Sequence, residues 1–142
     1  MRTVLAAAAF ALLVLARPAH AGAALGLGAD WLVDPAEGEL QLTVAADTRL
    51  VRHVTLGVRF GMMYFGDTQY VGAPIDGRLR LRVGRIYAEG LVGPWFVFGG
   101  RDTVRLHGAF GFGVHTRSLA FGFEVGWVDP TPLIGFRVTF PL

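Results

Sequence analysis

The chain has 142 residues, 53% of them hydrophobic, with 20 glycines, no cysteine and a formal net charge of +2. That length suits one domain, and the lack of cysteine excludes a disulfide framework, a thiolate metal site and a thiol nucleophile. There is no lysine and no basic run interleaved with aromatics, which excludes a nucleic-acid-binding reading despite the positive balance.

Residues 1–21 read as a secretory signal peptide. Arg2 supplies the positive start, Leu5 to Leu15 the apolar stretch, and Ala19-His20-Ala21 the small-residue cleavage triplet. The apolar stretch is too short to cross a bilayer as a helix. Removing Arg2 and Arg17 with this leader leaves eleven arginines against eleven Asp plus Glu, so the mature chain is formally neutral. Residues 22–142 form the remaining domain, and no segment in it has 18 consecutive apolar residues, so no transmembrane helix is expected there.

Eight segments of period two follow in chain order. Ala23–Val33 sets Leu25, Leu27, Ala29 and Trp31 against Gly26, Gly28 and Asp30. Gly38–Asp47 sets Leu40, Leu42 and Val44 against Glu39, Gln41 and Thr43. In His53–Phe65, Val54, Leu56, Val58, Phe60, Met62 and Tyr64 oppose His53, Thr55, Gly57, Arg59, Gly61 and Met63. In Val71–Val83, Ala73, Ile75, Leu79, Leu81 and Val83 oppose Asp76, Arg78, Arg80 and Arg82. In Ile86–Phe98, Ile86, Ala88, Val92, Phe96 and Phe98 oppose Tyr87, Glu89, Leu91 and Trp95. In Val104–His115, Val104, Leu106, Phe110, Phe112 and Val114 oppose Arg105, His107, Gly111 and Gly113. In the last two segments Leu119, Phe121, Phe123, Val125 and Trp127, then Ile134, Phe136, Val138 and Phe140, oppose Ala120, Gly122, Glu124 and Gly126, then Gly135, Arg137 and Thr139. Turn chemistry separates them at Asp34-Pro35, Gly66-Asp67, Gly84-Arg85, Gly99-Gly100 and Asp129-Pro130. Pro74 and Pro94 each remove a ladder donor, which predicts bulges or strand ends there.

Every segment has two chemically different faces, and in the last two one face is wholly oily and the other small or charged. A soluble sheet buries the oily face; a transmembrane barrel turns it to lipid and keeps the polar face inside. Segments of ~9–13 residues, even in number, fit tilted strands crossing a hydrocarbon core. The predicted fold is therefore all-β, an eight-stranded antiparallel up-and-down transmembrane barrel. Its lumen would hold Arg59, Arg78, Arg80, Arg82, Arg105 and Arg137 against Glu89 and Glu124, with His53 and His107 nearby. A two-residue hairpin at Gly84-Arg85 puts Arg80 opposite Glu89. A four-residue turn at 129–132 puts Glu124 opposite Arg137. Ten glycines on the same face (Gly26, Gly28, Gly57, Gly61, Gly93, Gly111, Gly113, Gly122, Gly126 and Gly135) make room for these long side chains.

Two uses of such a lumen compete: paired charges plug it, or its excess of arginine makes a narrow anion-leaning channel. A third reading is a soluble, exported, lipocalin-like barrel that holds an apolar ligand. Trp31, Tyr64, Phe98 and Trp127 fall near one end of their strands, where an interfacial aromatic girdle belongs. With the start of residues 22–142 placed in the periplasm, the turns on that side hold Arg49, Arg52, Arg85 and Arg117. The outer loops hold Asp34, Glu37, Asp67, Asp102 and Asp129, with Arg101 the exception. That rim is either simply polar or draws divalent cations between lipopolysaccharide phosphates. No G-x-S-x-G, H-E-x-x-H or usefully paired carboxylates occur. His115-Thr116-Arg117-Ser118 is the nearest nucleophile-and-base candidate, and it reads as a polar turn. No catalytic residue, metal site or cofactor is expected.

With its leader, eight alternating segments and aromatic-ended last strand, the chain resembles small bacterial outer-membrane β-barrels of the OmpA/OmpX-like and opacity type. Gly57–Phe65, Tyr87–Phe98 and Gly135–Phe140 carry the likeness. Phe136, Val138 and Phe140 look like the terminal signal read by the barrel-assembly machinery, although Pro141-Leu142 follow the final aromatic. The resemblance implies passage past periplasmic chaperones, insertion into the outer membrane among lipid and lipopolysaccharide, and a monomer. Outer-membrane lipid A deacylases, which are also small barrels, place a His and a Ser two apart on a strand; here they are three apart across a turn, which argues against that activity.

Overall fold

The computed structural model describes residues 22–142 and consists of eight antiparallel strands closed into one barrel in sequence order. The strands are β1 (Gly22–Leu32), β2 (Glu37–Val51), β3 (Val54–Phe65), β4 (Val71–Val83), β5 (Ile86–Phe98), β6 (Val104–His115), β7 (Ala120–Val128) and β8 (Thr131–Pro141). β8 returns to pair with β1, from Ala24 opposite Pro141 to Leu32 opposite Leu133. The predicted leader lies outside the described residues.

Closure requires the strands to slip past one another as they tilt. Starting at Gly22, the cross-strand partners run through Asp47, Gly57, Arg78, Leu91, Ala109, Gly126 and Leu133, and arrive back on β1 at Leu32. That is a stagger of ten residues around eight strands, and every residue on the path faces inward. One such inclined row is therefore a continuous line of neighbours across the lumen wall. One end, carrying the loops 33–36, 66–70, 99–103 and 129–130, is the loop end. The other end carries the tight turns and both ends of the described chain.

The alternation assigns the faces as expected. Leu27, Phe60, Leu79, Phe110, Phe123 and Ile134 all point outward and are about half exposed, whereas Asp30, Arg59, Asp76, Arg80, Glu89, Glu124 and Arg137 are buried. Two expectations fail. Pro74 and Pro94 create neither bulge nor strand end: β4 and β5 run straight through them with constant alignment. Only the adjacent rungs drop out, between Phe60–Ile75 and Met63–Gly72 on one side, and between Pro74–Trp95 and Gly77–Val92 on the other. A barrel this sheared tolerates lost donors better than a lost register, because a one-residue slip would turn every arginine outward. The register shift instead lies in β2 between Arg49 and Val51, beside the turn to β3.

The second failure is the last hairpin. Val128 pairs with Thr131 rather than Leu133, so the turn is Asp129-Pro130 alone and Glu124 stands opposite Gly135. The shorter turn slides β8 by two residues, which preserves the faces and changes the neighbours.

Candidate functional site

The lumen is layered. At the loop end Leu32, Met63, Phe65, Trp95, Val97, Val128 and Leu133 pack into an apolar cluster with Tyr70 against it. These are the inward-phase positions at the loop ends of β1, β3, β5, β7 and β8, so the alternation that put charges inside also put this plug inside. Glu37 closes the same end. Expected in a solvated loop, it is the first residue of β2 and buried. It accepts hydrogen bonds from the Thr68 N–H at 2.8 Å and the Thr68 hydroxyl at 2.6 Å, stapling the start of β2 to the β3–β4 loop.

Below the plug lies a continuous charge lattice. Asp76 has no exposed surface, and it accepts from Arg59 Nη2 at 2.8 Å, Arg59 Nε at 3.1 Å, His107 Nδ1 at 2.7 Å and Trp95 Nε1 at 3.2 Å. The His107 ring stacks on Trp95 with centroids 4.3 Å apart. Arg59 also holds Glu124, whose other oxygen lies 2.9 Å from Arg137 Nη2. Arg137 forks onto both oxygens of Asp30 at 2.6 Å each. Gln41 bridges Asp30 to Glu39 at 2.9 and 2.7 Å. Nearer the turns, Arg80 reaches Glu89 through Nε and Nη2, both at 2.8 Å, and sits 4.4 Å over the Tyr87 ring. Arg78 holds Asp47. Planar guanidinium forks on carboxylates are the geometry in which buried pairing is strongest.

Glycines make these contacts possible. Along one inclined row Gly57 lies between Asp47 and Arg78; along another Gly93 lies between Asp76 and His107; along a third Gly111 lies between Glu89 and Glu124. A Cβ on Gly57 would strike the Asp47 carboxylate, one on Gly28 the Arg137 guanidinium, and one on Gly135 the Asp30 carboxylate. Tyr87 likewise lays its hydroxyl over Gly122. At Gly61, Gly93, Gly113 and Gly126 the nearest atom is backbone of the adjoining strand. There the adjoining backbone leaves no room for a Cβ.

Of the expected lumen residues, the structure brings together Arg59, Arg78, Arg80, Glu89, Glu124 and Arg137. Glu124 and Arg137 meet diagonally, because Gly135 occupies the opposite position. Arg82 and His53 do not join the lattice: both are exposed at the turn end, where His53 Nδ1 donates to the Arg82 carbonyl at 3.1 Å. Arg105 is half-buried near the loop end, its Nε without a partner among the described residues. The lumen charges expected from the sequence left out Asp30, Glu39, Asp47 and Asp76, although the alternation placed Asp30, Glu39 and Asp76 on the correct face. Including them reverses the balance. Four lattice arginines (59, 78, 80, 137) face six carboxyls (Asp30, Glu39, Asp47, Asp76, Glu89, Glu124), so the excess of positive charge inside does not exist.

Little free volume remains between these groups. The void bounded by Arg59, Arg78, Arg80, Glu89 and Arg137 measures about 10 Å³, the room of about one water at most. The two halves of the Arg80–Glu89 pair are therefore expected to be energetically coupled. Glu89→Ala should cost about 2 kcal/mol by leaving a buried guanidinium unpaired, and adding Arg80→Ala should recover most of that cost. Urea unfolding of the single and double variants measures it; strictly additive losses would mean no coupling.

The remaining expected residues are placed as follows. Trp31, Tyr64, Phe98 and Trp127 are exposed on the outer wall towards the loop end, and Trp127 covers Gly108. Phe136, Val138 and Phe140 face outward on β8, whose end is tied to β1 by the Leu142 N–H on the Ala23 carbonyl at 2.9 Å. His115 and Ser118 are not joined: His115 Nε2 donates to the Gly84 carbonyl at 2.8 Å, and the Ser118 N–H turns to the Thr116 hydroxyl.

Comparison with known proteins finds no matching family model and no matching curated protein. Among solved structures the barrel is similar to one described as "De novo design of transmembrane beta-barrels", with TM-score 0.66 and 12% identity over 89% of this chain and 98% of that one. It is also similar to the solution NMR structure of the de novo designed TMB2.3, with TM-score 0.63 and 14% identity over the same shares. At this identity the likeness concerns the fold alone: an eight-stranded, antiparallel, up-and-down closed barrel.

Proposed function

We propose that the chain is an integral outer-membrane β-barrel protein with a structural or interaction role and a lumen plugged by ion pairs. The observation that carries this reading is the inside-out placement of side chains. Thirty-three large hydrophobic side chains are exposed on the barrel, while eleven apolar residues are buried. A water-soluble monomer rarely exposes contiguous apolar patches beyond a few hundred Å², whereas lipid demands such a surface. The closed ladder adds the second requirement, since no strand edge is left to face hydrocarbon unpaired.

The outer membrane, rather than another bilayer, rests on the secretory leader read in residues 1–21 and on the resemblance of 22–142 to bacterial barrels. That reading includes cleavage after Ala21, delivery by periplasmic chaperones, insertion by the barrel-assembly machinery, and a monomer surrounded by lipid and lipopolysaccharide. It includes no catalytic role, cofactor or metal. The plug is favoured over the anion-leaning channel by the lattice's six carboxyls to four arginines and by its negligible void. A soluble lipocalin-like carrier would need an apolar hollow, and charge fills the centre of this one.

Membrane fractionation with heat-modifiable gel mobility tests the location; recovery of the folded chain in the soluble fraction would overturn it. Planar-bilayer recording tests the plug, and steady single-channel steps would replace it with a channel. A third expectation concerns the outer wall. Phe123→Arg, in the middle of β7, should destabilise the barrel in vesicles by about 2–3 kcal/mol, while Val83→Arg beside the β4–β5 turn should cost about 1 kcal/mol or less. Equal costs at the two depths would mean that hydrocarbon does not surround the wall.

A further inference from the structure

The lattice seals the middle of the barrel and the apolar cluster seals the loop end, but the turn end is open. A cavity of about 280 Å³ is recessed there, lined among others by Asp47, Arg80, Arg82, His115, Arg117 and Thr139. Its charges are unequally committed. Arg80 is held by Glu89, and Asp47 by Arg78, both deeper in the lumen. Arg82 and Arg117 have no carboxylate within ion-pair distance among the described residues, where every other ion pair involves Arg59, Arg78, Arg80, Arg137 or His107. The uncompensated charge of the cavity is therefore the two guanidiniums of Arg82 and Arg117. Arg49, Arg52 and Arg85 lie exposed at the same end of the barrel and add to the positive potential there.

We propose that this turn-end cavity binds a phosphate-class anion between Arg82 and Arg117. Guanidinium forks match phosphate oxygens bidentately. Here they come from separate elements, β4 and the β6–β7 turn, and Thr139 of β8 lines the same cavity and can add a hydroxyl. The recess focuses the field of two unpaired cations, and the Arg78–Asp47 and Arg80–Glu89 pairs next to it each balance within themselves. A lipid headgroup and a free phosphate present the same chemistry to this site. The cavity opens at this end in either orientation of the barrel.

The test uses the full chain refolded in a neutral maltoside detergent. Inorganic phosphate is titrated in one arm and short-chain phosphatidylglycerol in the other, followed by calorimetry and by the shifts of the arginine Nε–H signals. The expected result is saturable binding that Arg82→Ala/Arg117→Ala weakens at least tenfold, and that Arg85→Ala, outside the cavity, changes less than twofold. Binding in both arms, or in either one alone, supports the site, and the arm that responds identifies the source of the phosphate. No saturable binding in either arm, or equal loss in the Arg85 variant and the double variant, overturns it. Should the double variant fail to refold, Arg117→Glu alone, a change confined to a turn, must abolish binding.

Discussion

Asp76→Ala is expected to cost about 4–5 kcal/mol, close to the whole stability of a marginal barrel. Asp76 is the acceptor for four donor atoms from three side chains: Arg59 twice, His107 and Trp95. All are buried, and nothing nearby is free to replace the carboxylate. Arg59 would keep Glu124, but Glu124 already answers Arg137. The substitution thus leaves part of a guanidinium, an indole N–H and an imidazole N–H unsatisfied in one dry compartment, and each such group costs about 1–3 kcal/mol. Asp76→Asn keeps the volume and one acceptor oxygen, so it should lose about half as much. Trp95 stacks on His107 in that compartment, so the same experiment has an internal reporter: its fluorescence should shift to the red in the Ala variant before global unfolding. A loss below ~1 kcal/mol with unshifted emission would mean that water already reaches the lattice and that its ion pairs are not buried in the energetic sense.

Much of this architecture was legible because a barrel wall obeys one rule throughout. Period two assigns a face to each residue, and faces survive errors of register in steps of two. That is why Glu124 and Arg137 were correctly placed inside although the turn before Thr131 was read two residues too long. Their actual contact is diagonal because the two-residue turn at Asp129-Pro130 sets Gly135, not Arg137, opposite Glu124. Other limits hid Asp76 and Asp47: Asp76 stands directly opposite Arg59, but the β3–β4 loop is too long to fix that register from the sequence. Asp47 meets Arg78 across Gly57, through three strands, and no single pairing brings them together. The apolar plug was missed for another reason. Leu32, Phe65, Val97, Val128 and Leu133 occupy the inward phase at the loop end with Met63 and Trp95, but of these only Met63 and Trp95 fell on the inner face in the alternation, too few to mark an oily layer there. The outer wall needed no such distinction, since lipid is uniform along it.

Gly93 and Gly90 lie three residues apart on β5, and replacing each with valine should move stability in opposite directions. Gly93 faces inward; a Cβ there would press on the Ile75 carbonyl, with the Asp76 Cα at 2.8 Å. Backbone cannot give way as a flexible side chain can, and here it carries the Asp76 side of the lattice. Gly93 is also the gap across which His107 reaches Asp76. Gly93→Val should therefore cost about 3 kcal/mol through overpacking alone, with the Trp95 emission shifting as in Asp76→Ala. Gly90 faces outward with nothing within 4 Å of its missing Cβ. Valine there relieves the entropic weakness of a strand glycine, adds a β-branched side chain to a pleated surface and extends the oily wall, for a gain of about 0.5–1 kcal/mol. Unfolding in lipid vesicles should thus separate the two variants by about 4 kcal/mol. If both variants were destabilised alike, strand glycines would be serving flexibility. If both were tolerated, the wall at Gly93 would be looser than its contact with β4 indicates, and Asp76 could not be held as firmly as its four hydrogen bonds require.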